Sequence, residues 1–316
     1  ARTPLAEGAA APATDKVGPV ISSARLASST SVLVTFSEPV SDASLTGTDF
    51  LFSGFAVSGA NTYGVGPVVT GVANDAAVTV TLAAAVSGGD TGGLVRLSAA
   101  GAASDSLGNA SANFTTTRPV DPLTATWKAG NATTSWNTAA NWAEGFVPVA
   151  ASDVIVPSGA SPYPILDVSP TIASLSIQAG ATLELAAFDL TVSGALANAG
   201  TVIVSGAGRP NKVDATQGLV RYTASGGVVT DYGASDYWNL ELAPAVAATF
   251  TRSAASGVEL AVANALTIGA NATLDLDAND FSAGSLSNGG VVALDGSQTI
   301  ALAANDTGSG TWRYDG

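Results

Sequence analysis

Two stretches of this chain are variants of one another, and that repetition limits its possible folds more than any other feature. LSIQAGATLELAAFDLTVSGALANAGTVIVSG (Leu175–Gly206) and LTIGANATLDLDANDFSAGSLSNGGVVALDG (Leu266–Gly296) match Leu175, Ile177, Leu183 and Leu185 to Leu266, Ile268, Leu274 and Leu276, an offset of 91. After one deletion the offset is 90, which matches Leu196, Asn198, Gly200, Val202 and Val204 to Leu286, Asn288, Gly290, Val292 and Leu294. It becomes 92 where Arg221 of Val220-Arg221-Tyr222 meets Arg313 of Trp312-Arg313-Tyr314. Such repetition marks a stacked architecture in which each unit buries its apolar side against its neighbours. A shorter period lies inside it: Leu183 and Val202 are 19 apart, Leu175 and Leu196 are 21 apart. About 20 residues, with short strands split by Gly, Asn or Ala turns, is what one coil of a three-sided β-helix needs. In Thr182-Leu183-Glu184-Leu185, alternation turns Leu inward and Glu outward. Asn198 and Asn288 fall at repeated turns, where Asn tolerates left-handed backbone and can stack in ladders. The segment GVVTDYGASDYWNLEL between the copies is expected to recur beyond Gly316.

Composition supports an all-β chain. Hydrophobic residues make up 47% but charged residues only 11%, against about 25% in an average soluble domain. Small and β-branched residues suit strands and tight turns better than charged amphipathic helices. The net charge of −14 argues against nucleic acid, whose phosphates need a basic surface, and against docking on anionic lipid. No apolar run is long enough to span a membrane. The chain has no Cys, His or Met. It starts at Ala1 and reads as an exported chain after removal of a signal peptide, or as a fragment.

Residues 1–16, rich in Ala, Pro and Gly, are expected to form a flexible arm. A β-sandwich is expected over 17–118. Its strand candidates are Val20–Leu26, Ser31–Phe36, Phe50–Phe55, Pro67–Val72, Ala77–Leu82, Leu94–Ser98 and Ala112–Thr117, parted by turns such as Gly59-Ala60-Asn61, Asn74-Asp75 and Gly88-Gly89-Asp90. Two prolines make 119–122 a stiff linker that excludes a central strand. The stretch DKVGPVISSARLASSTSVLVTFSEPVSDASLTGTDF, with SDSLGNAS at Ser104–Ser111, resembles bacterial Ig-like domains of surface and S-layer proteins.

The segment 123–172 holds Trp127, Trp136 and Trp142, three of the five tryptophans. TATWKAGNATTSWNTAANWAEGFVPVAASDVIVPSG resembles the pattern that opens β-solenoid regions in large bacterial surface proteins. Physically, a Trp-rich cap can cover an open solenoid end; the alternative is a carbohydrate-stacking platform. Residues 173–316 are expected to form the solenoid, similar to filamentous-haemagglutinin-like and autotransporter-passenger adhesins. The resemblance implies a right-handed parallel β-helix.

Without His and Cys, Ser-His-Asp triads, Cys nucleophiles and ordinary zinc sites are excluded, and no Walker loop is present. Carboxylate catalysis remains open through Glu184 with Asp189, and Asp275 with Asp277 and Asp280. Glu184 matches Asp275 and Asp189 matches Asp280, each at an offset of 91, which favours turns or an outward face over a unique active site. Basic residues to neutralise a uronate are scarce: Arg209, Lys212, Arg221, Arg252 and Arg313. Ca²⁺ is the more plausible ion, with Glu38 and Asp105 leading and Asp15, Asp42, Asp49 and Asn109 adding hard oxygen ligands. The alternative is that these residues make turns. Sugar-stacking candidates are Trp136, Trp142, Tyr232, Tyr237 and Trp238. Glycosylation sequons occur at Asn109, Asn113, Asn131, Asn271 and Asn305.

The resulting expectation is a non-enzymatic, extracellular structural or adhesive surface protein that self-associates or meets other surface proteins and glycans. A secreted carbohydrate-binding module and a β-helix polysaccharide-degrading enzyme are the alternatives.

Overall fold

The period-two alternation of the sequence becomes strands along the whole chain. The computed structural model describes residues 15–28, 30–54, 65–69, 74–82, 86, 93–121, 123–233, 236–252, 259–306 and 308–315. The expected arm, apart from Asp15 and Lys16, and the turns at Gly59-Ala60-Asn61 and Gly88-Gly89-Asp90 lie outside the described residues. The chain divides into two units, Ala1–Asp121 and Pro122–Gly316. Both are all-β; the helical content among the described residues is short 3-10 turns. No described helix is long and apolar enough to cross a membrane.

The first unit contains β1 (Ile21–Ser28), β2 (Ser31–Phe36), β3 (Phe50–Ser53), β4 (Val65–Val69), β5 (Ala77–Leu82), β6 (Leu94–Leu97) and β7 (Arg118–Asp121). They join in one order, β3-β6-β7-β1-β2-β5-β4. In β2 and β5 every second residue is buried, so one face carries the core. Phe36 of β2 and Phe50 of β3 are far apart in that order, yet their rings meet edge to face at 6.3 Å. The sheet therefore curls into a half-barrel. The expected sandwich of two separate facing sheets is not seen among the described residues.

The reason lies in β7, which the sequence places in a linker. The strand expected at Ala112–Thr117 forms a few residues later, antiparallel to β6 and parallel to β1, and joins the two halves. Pro119 is tolerated there because only one side of it needs an amide. Val120 donates to the Gly93 carbonyl at 2.8 Å on the β6 side. The missing Pro119 N–H falls on the β1 side, where pairing begins only at Ala24 with Val120. The Arg118 Nε fills part of that gap, donating to the Ile21 carbonyl at 3.0 Å.

The second unit contains β8 (Leu123–Thr126), β9 (Ser152–Val156), β10 (Thr171–Ile172), β11 (Ser174–Ile177), β12 (Thr182–Glu184), β13 (Thr191–Val192), β14 (Leu196–Asn198), β15 (Thr201–Val204) and β16 (Leu219–Tyr222). It continues with β17 (Gly227–Val229), β18 (Tyr237–Leu242), β19 (Ala248–Arg252), β20 (Leu260–Ile268), β21 (Ala272–Asp275), β22 (Phe281–Asn288), β23 (Val291–Leu294), β24 (Ile300–Asn305) and β25 (Thr311–Tyr314). All their ladders are parallel. Four strands run β14-β11-β9-β8, two run β10-β13, seven run β12-β15-β16-β18-β20-β22-β24, and five run β17-β19-β21-β23-β25. This is a β-solenoid of about eight turns. Along one side Leu183, Val202, Val220, Leu240, Leu266 and Leu286 are successive register partners. All six are buried, and they belong to one apolar core that runs through the unit.

The repeat is real in space, but it is out of phase with the coils. Leu175 lies in the four-stranded ladder and its match Leu266 in the seven-stranded one; Leu183 lies in the seven-stranded ladder and Leu274 in the five-stranded one. Val202 and Val292 differ in the same sense, as do Val220 and Trp312. One repeat thus spans four coils plus one side. Local geometry is kept across the shift. The Asn198 Oδ1 accepts the Gly200 amide and its Nδ2 donates to the Leu219 carbonyl. Asn288 does the same with Gly290 and Thr311. Gly218 and Gly310, at φ 74° and 72°, each pass against the matching Asn carbonyl, where a Cβ would come within 1.9 and 2.3 Å. Only glycine fits both conditions.

Candidate functional site

In the first unit the loop after β2 carries Glu38, and the turn at Ser104–Ala110 carries Asp105 and Asn109. Carboxylate oxygens of Asp15, Glu38 and Asp105 lie within 4.8 Å of one another. Asp105 is buried. Its Oδ1 accepts the amides of Leu107 and Asn109, and its Oδ2 accepts the Asn109 Nδ2 at 2.7 Å. That same Nδ2 donates to the Asp15 carbonyl at 3.1 Å. Burial works to raise the Asp105 pKa, but the hydrogen bonds from Asn109, Leu107 and Gly108 outweigh it and hold the group below its ordinary value. Glu38 moves the other way, raised by burial and then by the charges of Asp15 and Asp105. Three hard oxygen donors converge here, and a divalent cation would relieve their repulsion. Asp42 and Asp49 stand outside the group. Asp49 accepts the amide and hydroxyl of Thr46 in a 3-10 turn, the turn-forming role that was the alternative to calcium.

The tryptophans sit at the first coil. Trp127, Trp136 and Trp142 are 1%, 0% and 1% exposed. Trp142 meets Trp127 at 5.1 Å and Trp136 at 4.8 Å, both edge to face. The faces of Trp136 and Trp142 are covered, so neither offers a sugar platform; Tyr237 is also fully buried. Tyr232 and Trp238 are partly exposed.

The repeated carboxylates have matched structural contacts. The Asp189 Oδ1 accepts the Arg209 amide one coil on, and the Asp280 Oδ1 accepts the Thr299 amide likewise. Glu184 accepts the Ser205 hydroxyl. Asp275 accepts the Asp277 amide. Asp277 and its match Ala186 share a positive φ, 51° and 49°. These residues hold turns and bind successive coils to one another. Among the sequons, Asn113, Asn271 and Asn305 are exposed, and Asn109 is engaged as above. Asn131 is buried and donates to the Asn141 carbonyl at 3.0 Å, so burial closes that position to modification.

Sequence reasoning missed a polar centre inside the solenoid. Asp231 forms an ion pair with Arg252, whose side chains are 2% and 0% exposed. Asp236, also buried, accepts the amides of Tyr232 and Ala261 at 2.5 and 2.9 Å. The hydroxyls of Tyr222 and Tyr237 are 3.0 Å apart, and Tyr237 donates to the Thr230 carbonyl at 2.6 Å. Arg209 lies 5.5 Å from the Tyr222 ring centre. The paired Asp-Tyr steps at 231–232 and 236–237 were the available signal. Of the two buried carboxylates, Asp231 pairs with the guanidinium. Burial, with the Asp231 charge adding to it, pushes Asp236 up to about 6 against two amides that favour its ionised form.

This centre gives the solenoid unit a pH profile. Asp236 holds its proton more tightly when folded, about 6, than its ordinary 3.8. Its contribution to stability is complete below the ordinary value and is lost as pH rises through about 6. Asp295, Asp306 and Asp315 are depressed by amide, hydroxyl or Arg313 contacts, and Asp214 is depressed by contacts that outweigh its burial. Their contribution is lost as pH falls through those lowered values. The melting temperature should therefore peak near about pH 4 and fall between about pH 4 and 6. Asp236→Asn should flatten the fall on the alkaline side. A wild-type profile that is level from acid to neutral pH would contradict this.

In comparisons with known proteins, no family model, no curated protein and no solved structure matched this chain.

Proposed function

We propose that this chain is an extracellular structural or adhesive component of a bacterial cell surface, acting by projection or self-association. The observation that carries this reading is the continuous solenoid, whose recurring polar residues are spent on turns and coil-to-coil bonds. A stack of this kind is a stiff spacer. Its winding would be right-handed, the hand favoured by parallel crossover connections. The N-terminal half-barrel, read as a relative of Ig-like modules, would space or dock the rod. Electron microscopy of native cell surfaces with a labelled antibody tests the proposal. A regular lattice, a filament or projecting rods carrying the label are expected; label confined to the cell interior would reject it.

Calcium would act in the N-terminal unit, through Asp15, Glu38 and Asp105. Added Ca²⁺ should raise that unit's melting temperature, and Glu38→Gln with Asp105→Asn should remove the rise. Calorimetry with no heat of binding and no shift in melting would reject a calcium role.

A further inference from the structure

A cleft of about 570 Å³ opens in the wall of the solenoid between the coil segment 205–209 and the start of β17. Its size lies in the range of small-ligand sites, about 300–1,000 Å³. The ladder is interrupted there. β17 heads its five-stranded sheet and pairs on one side only, with β19. On the other side the chain runs to Pro210, which has no amide to offer and bridges back to Leu190. Arg209 stands in the cleft. Its Nη1 donates to the carbonyls of Gly206 and Gly208, both at 2.8 Å, and its guanidinium lies against the Tyr222 ring. These contacts fix the group and leave the edge formed by Nε and Nη2 without a hydrogen-bond partner among the described residues. Arg313 uses that same edge to grip Asp315. The ion pairs among the described residues take Arg221, Arg252 and Arg313 and leave Arg209 out. Gly227 keeps the free edge uncovered, since a Cβ there would sit 3.5 Å from the Arg209 Nη2.

We propose that this cleft binds a uronic acid unit of an acidic glycan, with the carboxylate held by the Nε–Nη2 edge of Arg209. A planar fork that is already immobilised takes a carboxylate through two parallel hydrogen bonds. The rest of the wall suits sugar hydroxyls. Ser225 is exposed at the cleft. The Ser205 Oγ donates to the Glu184 carboxylate at 2.5 Å and keeps its lone pairs for a further donor. Glu184 repels a compact dianion but accepts hydroxyl groups. Val228, 40% exposed, offers an apolar edge to a ring face. An extended peptide fits less well, because the chain enters β17 through Gly226 and Gly227 at φ 111° and 126°, outside strand geometry. The inference rests on this cleft alone, and its failure would leave the surface role above untouched.

The test titrates the full 316-residue chain, isotope-labelled, with tri-galacturonate. Nuclear magnetic resonance should show saturable shifts at the Arg209 Nε–H and at the amides of 205–209 and 224–228. Arg209→Gln should weaken binding at least about tenfold. Arg209→Lys, which keeps the charge without the fork, should recover only part of that loss. Val228→Glu should weaken binding of the trimer and Val228→Lys should tighten it, with the melting temperature unchanged; this pair decides the matter if Arg209→Gln disturbs the coil. Absence of saturation up to about 10 mM trimer would overturn the proposal. So would equal affinity for neutral galactotriose, or tighter binding of tetra-aspartate at the same residues.

Discussion

Trp142→Ala is expected to lower the unfolding free energy of the solenoid unit by about 3–5 kcal/mol. The indole is 1% exposed and touches both Trp127 and Trp136 edge to face. Its Nε1 also donates to the Trp136 carbonyl at 2.9 Å. Truncation removes the apolar contacts, leaves a cavity between two rigid rings, and strands a buried carbonyl. A coil is held only by its neighbours, so the loss should begin locally. Hydrogen exchange should report faster opening of β8 and β9 before the later coils, and urea unfolding followed by circular dichroism should report the total. Trp142→Phe, which keeps an aromatic edge, should cost less. A change below about 1 kcal/mol would mean that the three indoles do not close the end of the core.

The second large effect is at the buried ion pair. Asp231→Ala should cost about 3–5 kcal/mol, because it leaves the Arg252 guanidinium buried without its carboxylate. Arg252 has little to fall back on, since its Nε and Nη1 have no hydrogen-bond partner among the described residues. Replacing both groups, Asp231→Leu with Arg252→Met, should recover most of the loss. The pair holds the strand edge at Val229 to Arg252 through mutual neutralisation, and apolar groups of similar size fill the same space. A double-mutant cycle measures this coupling directly. If Asp231→Ala alone proved neutral, the centre would have to be hydrated and open.

The solenoid half was legible because its signal is repeated. Leu183, Val202 and Leu274 are spaced by the coil and by the repeat, and each lands inside the core. The phase shift was not legible. An offset of 91 is a sequence distance, whereas the register column from Leu183 to Leu266 closes four coils in fewer residues. Coil length varies with the turns, so the number of coils per repeat cannot be read from spacing alone. β7 was missed for a related reason. Proline was treated as excluding a central strand, but Pro119 needs an amide on one side only, and the ladder on that side starts after it. The sugar-stacking reading of Trp136 and Trp142 failed on burial. Aromatic clusters look the same in sequence whether they face solvent or each other. The buried Asp231–Arg252 pair was missed because its members are 21 residues apart and only the coil brings them together.

The central claim is a parallel solenoid whose sequence repeat advances by one side per copy, and disulfide trapping tests it in a chain that has no cysteine of its own. Glu241 and Thr267 are register partners on adjacent coils, at a separation and with parallel side chains that suit a disulfide. Glu241→Cys with Thr267→Cys should therefore crosslink on mild oxidation. If the copies were instead stacked in phase, the column of Glu184, Ile203, Arg221 and Glu241 would continue to Asp275, the residue matched to Glu184. The account predicts a disulfide in the Glu241→Cys/Thr267→Cys chain and none in the Glu241→Cys/Asp275→Cys chain; the reverse pattern would contradict it.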